Sequence, residues 1–80
     1  MDKEVTEVKI PDMLRGIRKA NGVSLKALAE MAGMSKRMVW SYEHGYVDIP
    51  LKKMARLFAA LGYEVVITLK VKGYEGKIGI

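Results

Sequence analysis

Residues 24–45, SLKALAEMAGMSKRMVWSYEHG, decide how this chain is read. They hold two short helical patterns joined at a glycine. Ser24 is placed to cap the first, in which Leu25, Leu28, Ala29 and Ala32 recur at 3.6-residue spacing. Gly33 then permits the positive φ that a sharp turn between helices requires. Ser35 caps the second pattern, which ends near His44, with Gly45 as its C-terminal stop. Val39 and Tyr42 of this second helix face inward, with Met34 nearby, and complete a core with Leu28 and Ala29. Lys36, Trp40 and His44 fall at i, i+4 spacing, with Arg37 and Ser41 one position on. These five share an outer face that is cationic, aromatic and polar.

Upstream, residues 1–10 read as a flexible or short extended arm closed by Pro11. Asp12 is expected to cap a first helix that carries Leu14, Ile17 and Arg18 and stops at Asn21-Gly22, a strong turn signal. Downstream, residues 46–49 form a loop and Pro50 stands where another helix begins. Leu51, Met54, Ala55, Phe58 and Leu61 are its apolar stripe, and Gly62 ends it. The period then changes from 3.6 to 2. Tyr63, Val65, Ile67, Leu69 and Val71 share one face, and Glu64, Val66, Thr68, Lys70 and Lys72 the other, which predicts a strand. Gly73-Tyr74-Glu75-Gly76 can turn the chain into a shorter strand over 77–80. The expected organisation is an arm (1–10), a mainly α domain of four to five helices (11–62) and a C-terminal β-strand or hairpin (63–80).

Composition narrows the function. Eighty residues make one small domain, half of it hydrophobic, and a domain of this size often completes its burial by oligomerising. Cysteine is absent, so disulfides and thiolate metal sites are excluded. No apolar run approaches the ~20 residues of a membrane span, and the charged N-terminus is unlike a signal peptide. The expected setting is soluble and cytoplasmic. The net charge is +5. The basic excess is concentrated in the helical middle, at Arg15, Arg18, Lys19, Lys26, Lys36, Arg37, Lys52, Lys53 and Arg56. Such a surface suits a polyanion, most commonly nucleic acid, although surface lysines on a soluble domain have the same composition. There is no glycine-rich phosphate loop, no nucleophile–histidine arrangement and no metal-ligand spacing. Enzyme is therefore the least supported class, and no cofactor or metal is expected.

An α-helix fits the major groove of DNA when a second helix holds it there. Lys36 and Arg37 lie at the N-terminal end of the second helix, the end that reaches base edges first, and are read with Trp40 and Ser41 as the base-reading set. Arginine can bond both acceptors of a guanine; lysine can do the same or hold a phosphate. Ser24, Lys26, Ser35, His44, Lys52 and Lys53 are the candidates for the DNA backbone, together with the N–H groups at the two helix starts. Trp40 has three open readings: contact with thymine methyls or sugar edges, anchorage of a protein interface, or partial burial against the first helix. The six methionines read as adaptable core packing.

From about Leu14 to Leu61 the sequence resembles the lambda-repressor-like, or Cro/C1-type (XRE), helix-turn-helix domains. The resemblance rests on Leu14, Arg18, Ser24, Leu28, Ala29, Ala32-Gly33-Met34-Ser35, Val39, Glu43, Gly45, Pro50, Leu51 and Ala60-Leu61-Gly62. It implies that Arg18 pairs with Glu43, tying the first helix to the recognition helix. An unpaired Glu43 would repel phosphates and sit at the unfavourable pole of the helix dipole. The segment LGYEVVITL resembles the strand extension of HipB-like antitoxins. That implies a homodimer through Tyr63, Val65, Ile67, Leu69 and Val71; a hairpin folded onto its own domain is the alternative. The resulting expectation is a homodimeric DNA-binding regulator, most simply a repressor of a palindromic operator. The alternatives are an antitoxin that also binds a toxin, and a protein-interaction module that has lost DNA binding.

Overall fold

The computed structural model describes residues 9–69, which contain four α-helices: α1 (Ile10–Ala20), α2 (Leu25–Ala32), α3 (Lys36–Glu43) and α4 (Leu51–Ala60). The starts of α2 and α3 are set by their serines. Ser24 Oγ accepts the Ala27 N–H at 2.9 Å and Ser35 Oγ the Met38 N–H at 3.1 Å. Each hydroxyl thereby satisfies one of the N–H groups that a helix start leaves without a partner. The ends are set by glycine. At Gly33 (φ 71°) the chain turns left-handed and Met34 N–H returns to Ala29 O at 2.9 Å. The same reversal at Gly45 (φ 73°) brings Tyr46 N–H to Ser41 O at 3.0 Å.

The core is one cluster of Leu14 from α1, Leu28, Ala29 and Ala32 from α2, Val39 and Tyr42 from α3, and Leu57 and Phe58 from α4. α2 packs against both α3 and α4, and α1 packs against α3. Helices α2 and α3 have eight residues each, too few to persist alone in water, so their stability comes from this shared burial.

Three local expectations change. Asp12 does not cap α1. The helix starts at Ile10 with Lys9 at its cap position, and Asp12 lies in the first turn, 3.5 Å from Arg15. Pro11 sits inside that turn, where its missing N–H costs nothing. On α4 the buried arc centres on Leu57 and Phe58, with Met54 and Leu61 beside it, whereas Leu51 is exposed. The methionines are mostly not core. Met34 and Met54 pack against it, while Met13, Met31 and Met38 are exposed.

The tail is a separate matter, because only part of its expected strand falls among the described residues. Residues 63–69 form no strand ladder, and among them Val65 packs against the core while Tyr63, Val66, Ile67 and Leu69 are exposed. A strand needs a paired neighbour, and the described part of the chain supplies none. The expected arm up to Val8, the strand residues from Lys70 on, including Val71, and the 73–80 hairpin lie outside the described residues.

Candidate nucleic-acid interface

Arg18 holds the end of α3 in place. Its Nε donates to Glu43 Oε2 at 2.7 Å and its Nη2 to Glu43 Oε1 at 3.0 Å, while Nη1 donates to Val23 O at 2.9 Å. The planar guanidinium thus joins α1, the turn into α2 and the last residue of α3. A carboxylate and a guanidinium match in this two-pronged geometry. The pair is almost dry, with the side chains 11% and 1% exposed. The hydrogen bond to Glu43 raises the Arg18 pKa above its ordinary value; burial opposes this and the carboxylate charge reinforces it. A raised arginine pKa contributes stability that is present below the unfolded value and is lost as pH rises through the folded one, in strong alkali.

The exposed side of α3 carries Lys36, Arg37, Trp40 and His44, with Ser41 half-buried at its margin. Lys26 is exposed at the start of α2, as is Lys52 at the start of α4, with Lys53 half-buried. The serine caps leave their hydroxyl protons free, since each oxygen accepts from the backbone and can still donate outward.

The placement of these cations is unusual. A helix start carries partial positive charge and is stabilised by carboxylates, by about 0.3–1 kcal/mol each. α1 follows that rule, with Asp12 in its first turn and Arg18 and Lys19 in its last. α2, α3 and α4 do the reverse. None has an acidic residue in its first turn, and Lys26, Lys36, Arg37, Lys52 and Lys53 occupy those turns instead. Each of these three helix starts repels its own cationic side chains, and an anion bound at any of them would relieve that repulsion.

Beyond the cations, α3 ends in an aromatic ledge. Trp40 and His44 stack at 4.1 Å between ring centroids and 25° between planes, and Tyr46 tilts against Trp40 at 5.4 Å. The Gly45 reversal brings Tyr46 back beside the helix, a contact that no spacing within α3 foretold. His44 Nδ1 lies 2.9 Å from Trp40 O. A carbonyl cannot donate, so in this contact Nδ1 is the donor.

An apolar groove of about 300 Å³ runs between α1, α4 and the tail, lined by Ile10, Met13, Ile17, Met54, Phe58 and residues 63–67. A more open groove of about 740 Å³ at the start of α1 is lined by side chains of both signs, among them Lys9, Asp12, Arg15 and Asp48. It therefore selects no anion. Among the described residues no group of His, Asp or Glu could hold a metal, and no helix is long and apolar enough to cross a membrane.

Removing one partner of the Arg18–Glu43 pair leaves the other charge buried and unpaired, at a cost of about 3–5 kcal/mol. Arg18→Met and Glu43→Gln should each lower the urea midpoint accordingly, and the double variant Arg18→Met/Glu43→Leu should recover much of the loss. Single variants within about 0.5 kcal/mol of the parent would show that α3 is held by apolar packing alone.

Comparison with known proteins places this geometry. The sequence matches the helix-turn-helix family over residues 14–67, which takes in α2, α3, α4 and most of α1. It is 32% identical over 60 residues to a protein of Pyrobaculum aerophilum whose name assigns it provisionally to the HTH-type transcriptional regulatory proteins. The match covers 75% of this chain and 24% of that relative, so the chain spans about a quarter of its length. With the two capped helices, the glycine turn and the buried Arg18–Glu43 link all in place, the chain belongs to the Cro/C1-type helix-turn-helix family.

Proposed function

We propose that this protein is a sequence-specific DNA-binding transcriptional regulator that reads a palindromic operator as a homodimer, most simply as a repressor. The observation that carries the DNA-binding part is the cationic start of α2, α3 and α4. Phosphates and guanine acceptors relieve an arrangement that weakens the isolated fold. In this reading Lys36, Arg37, Trp40 and Ser41 face base edges. Ser24, Lys26, Ser35, His44, Lys52 and Lys53 face the backbone, where they fix register without reading sequence. The family assignment and the regulatory relative in Pyrobaculum support the same reading.

The dimer is supported by the tail. Tyr63, Ile67 and Leu69 are exposed, Leu69 by 88%, beside an apolar groove that Val65 already enters. A second copy that pairs strand to strand through 63–71 would cover these side chains. It would also set two α3 helices about one DNA turn (~34 Å) apart. An antitoxin role uses the same DNA chemistry and adds a toxin on a protein-binding surface, for which Val47 and Leu51 are exposed beside α4.

Selection of bound sequences from a random duplex pool tests the reading. The parent should enrich a palindrome, and Arg37→Ala should bind it about 1–3 kcal/mol more weakly with relaxed preference at one base pair of each half-site. No enrichment even at low salt would replace DNA reading with a protein-interaction role. Lys52→Glu separates function from stability because the two effects have opposite signs. The variant should melt at or above the parent temperature, as a carboxylate suits the α4 start, yet bind any duplex less tightly with a smaller salt slope. Weaker folding with unchanged binding would remove Lys52 from the interface. Ile67→Lys should convert a dimeric parent to a folded monomer in sedimentation equilibrium; a monomeric parent at micromolar concentration would end the dimer proposal.

A further inference from the structure

The basic residues of α3 are at its start, whereas nearer its end the indole of Trp40 stacks on His44 with Tyr46 alongside, and hydrogen-bond reading of base edges makes no use of that apolar ring. Trp40 is 41% exposed and Tyr46 70% exposed, so the ledge faces solvent. Its rings nevertheless support one another. His44 is bonded through Nδ1 to the Trp40 carbonyl and stacks on the indole, and the Gly45 reversal holds Tyr46 against the same ring. An aromatic side chain fixed before binding loses little further freedom on contact.

We infer that Trp40, positioned by His44 and Tyr46, reads the C5-methyl group of a pyrimidine in the major groove, which in unmodified DNA is the methyl of thymine. The inference rests on the DNA-binding reading above and adds to it a chemical class of base. The thymine methyl is the one apolar group that base pairs present in that groove, and base faces within a duplex are already stacked. A duplex is favoured as occupant over an apolar protein surface because Lys36 and Arg37 share the exposed side of the same helix. Trp40 follows Lys36 by four residues, a rise of about 6 Å along α3. That is roughly two base-pair steps at ~3.4 Å each. The helix therefore carries two reading zones: donors for purine acceptors at its start and an apolar ledge for a methyl group nearer its end. Tyr46 is a positioning residue in this scheme, since it acts through Trp40, and His44 supports the indole in addition to the backbone contact proposed for it.

The test uses the operator selected from the random pool, with each thymine replaced in turn by deoxyuridine, which removes only the methyl group. The parent should bind one substituted duplex per half-site about fourfold more weakly, the worth of one buried methyl group. The sensitive position should lie one to two base pairs from the one that Arg37→Ala relaxes, since Trp40 follows Arg37 by three residues, about 4.5 Å of helix rise. Trp40→Ala and Tyr46→Ala should bind the thymine and deoxyuridine operators equally. Tyr46 is exposed and outside the helices, so its variant retains the fold, which circular dichroism checks. Trp40 is the only tryptophan, so its fluorescence should also differ between the two parent complexes. An operator whose every thymine tolerates deoxyuridine overturns the inference while leaving DNA reading intact. So does a methyl preference that survives both variants. Failure to select any operator overturns the DNA-binding reading itself, and this inference with it.

Discussion

The guanidinium of Arg18 is the constraint on which the rest of the interface depends. Helix α3 has eight residues, and the outer face proposed to meet DNA is useful only if its tilt is fixed. Packing of Val39 and Tyr42 sets which side faces inward. It does not by itself stop the far end from swinging about that contact. Arg18 closes the gap by gripping Glu43 at the last residue of α3 and Val23 at the entry to α2. One planar group therefore fixes the angle between the two helices of the motif from behind. Replacing the pair by apolar residues could preserve stability, because buried ion pairs are weak contributors to it. What such a replacement would lose is direction. A hydrocarbon contact is tolerant of small rotations, and a two-pronged hydrogen bond is not.

Much of this was legible in the sequence where the governing interaction is local. Ser24, Ser35, Gly33 and Gly45 act within three or four residues of themselves, so their roles can be read from neighbours alone, and α2 and α3 start where the serines place them. The outward placement of Lys36, Arg37, Trp40 and His44 follows equally from helical spacing. Misreadings arise where two local signals compete or where a distant surface decides. Asp12 is a good cap by residue type, but proline is tolerated throughout the first turn, and the helix gains length by starting at Ile10. The α4 stripe has the right period and the wrong centre. Which arc is buried depends on the docking of α4 against α2, and that brings Leu57 inward and leaves Leu51 outside.

The tail and the ledge show the same division. Alternation in residues 63–72 describes a strand, yet pairing requires a partner that sequence spacing cannot provide, and residues 63–69 form no ladder. Tyr46 reaches Trp40 through a backbone reversal at Gly45. Glycine announces that the chain turns there, but only the structure shows what the turn brings together. Gly45 at the end of α3 thus has a second consequence beyond stopping the helix: Tyr46 after it returns to flank Trp40.

The charge distribution explains why an interface can be recognised with no partner present. A domain selected for stability alone would place carboxylates at its helix starts, as α1 does with Asp12. Helices α2, α3 and α4 place lysine and arginine there, while the carboxylate at the end of α3, Glu43, is paired with Arg18 in the interior. Both choices weaken or complicate the isolated fold, and both make sense if a polyanion approaches from one side. Cations presented there gain a partner on binding, and a free carboxylate at the end of α3 would repel it. The aromatic ledge extends the same logic from charge to shape. Beside a surface proposed to attract phosphate, an uncharged aromatic group would add discrimination without adding affinity for every sequence.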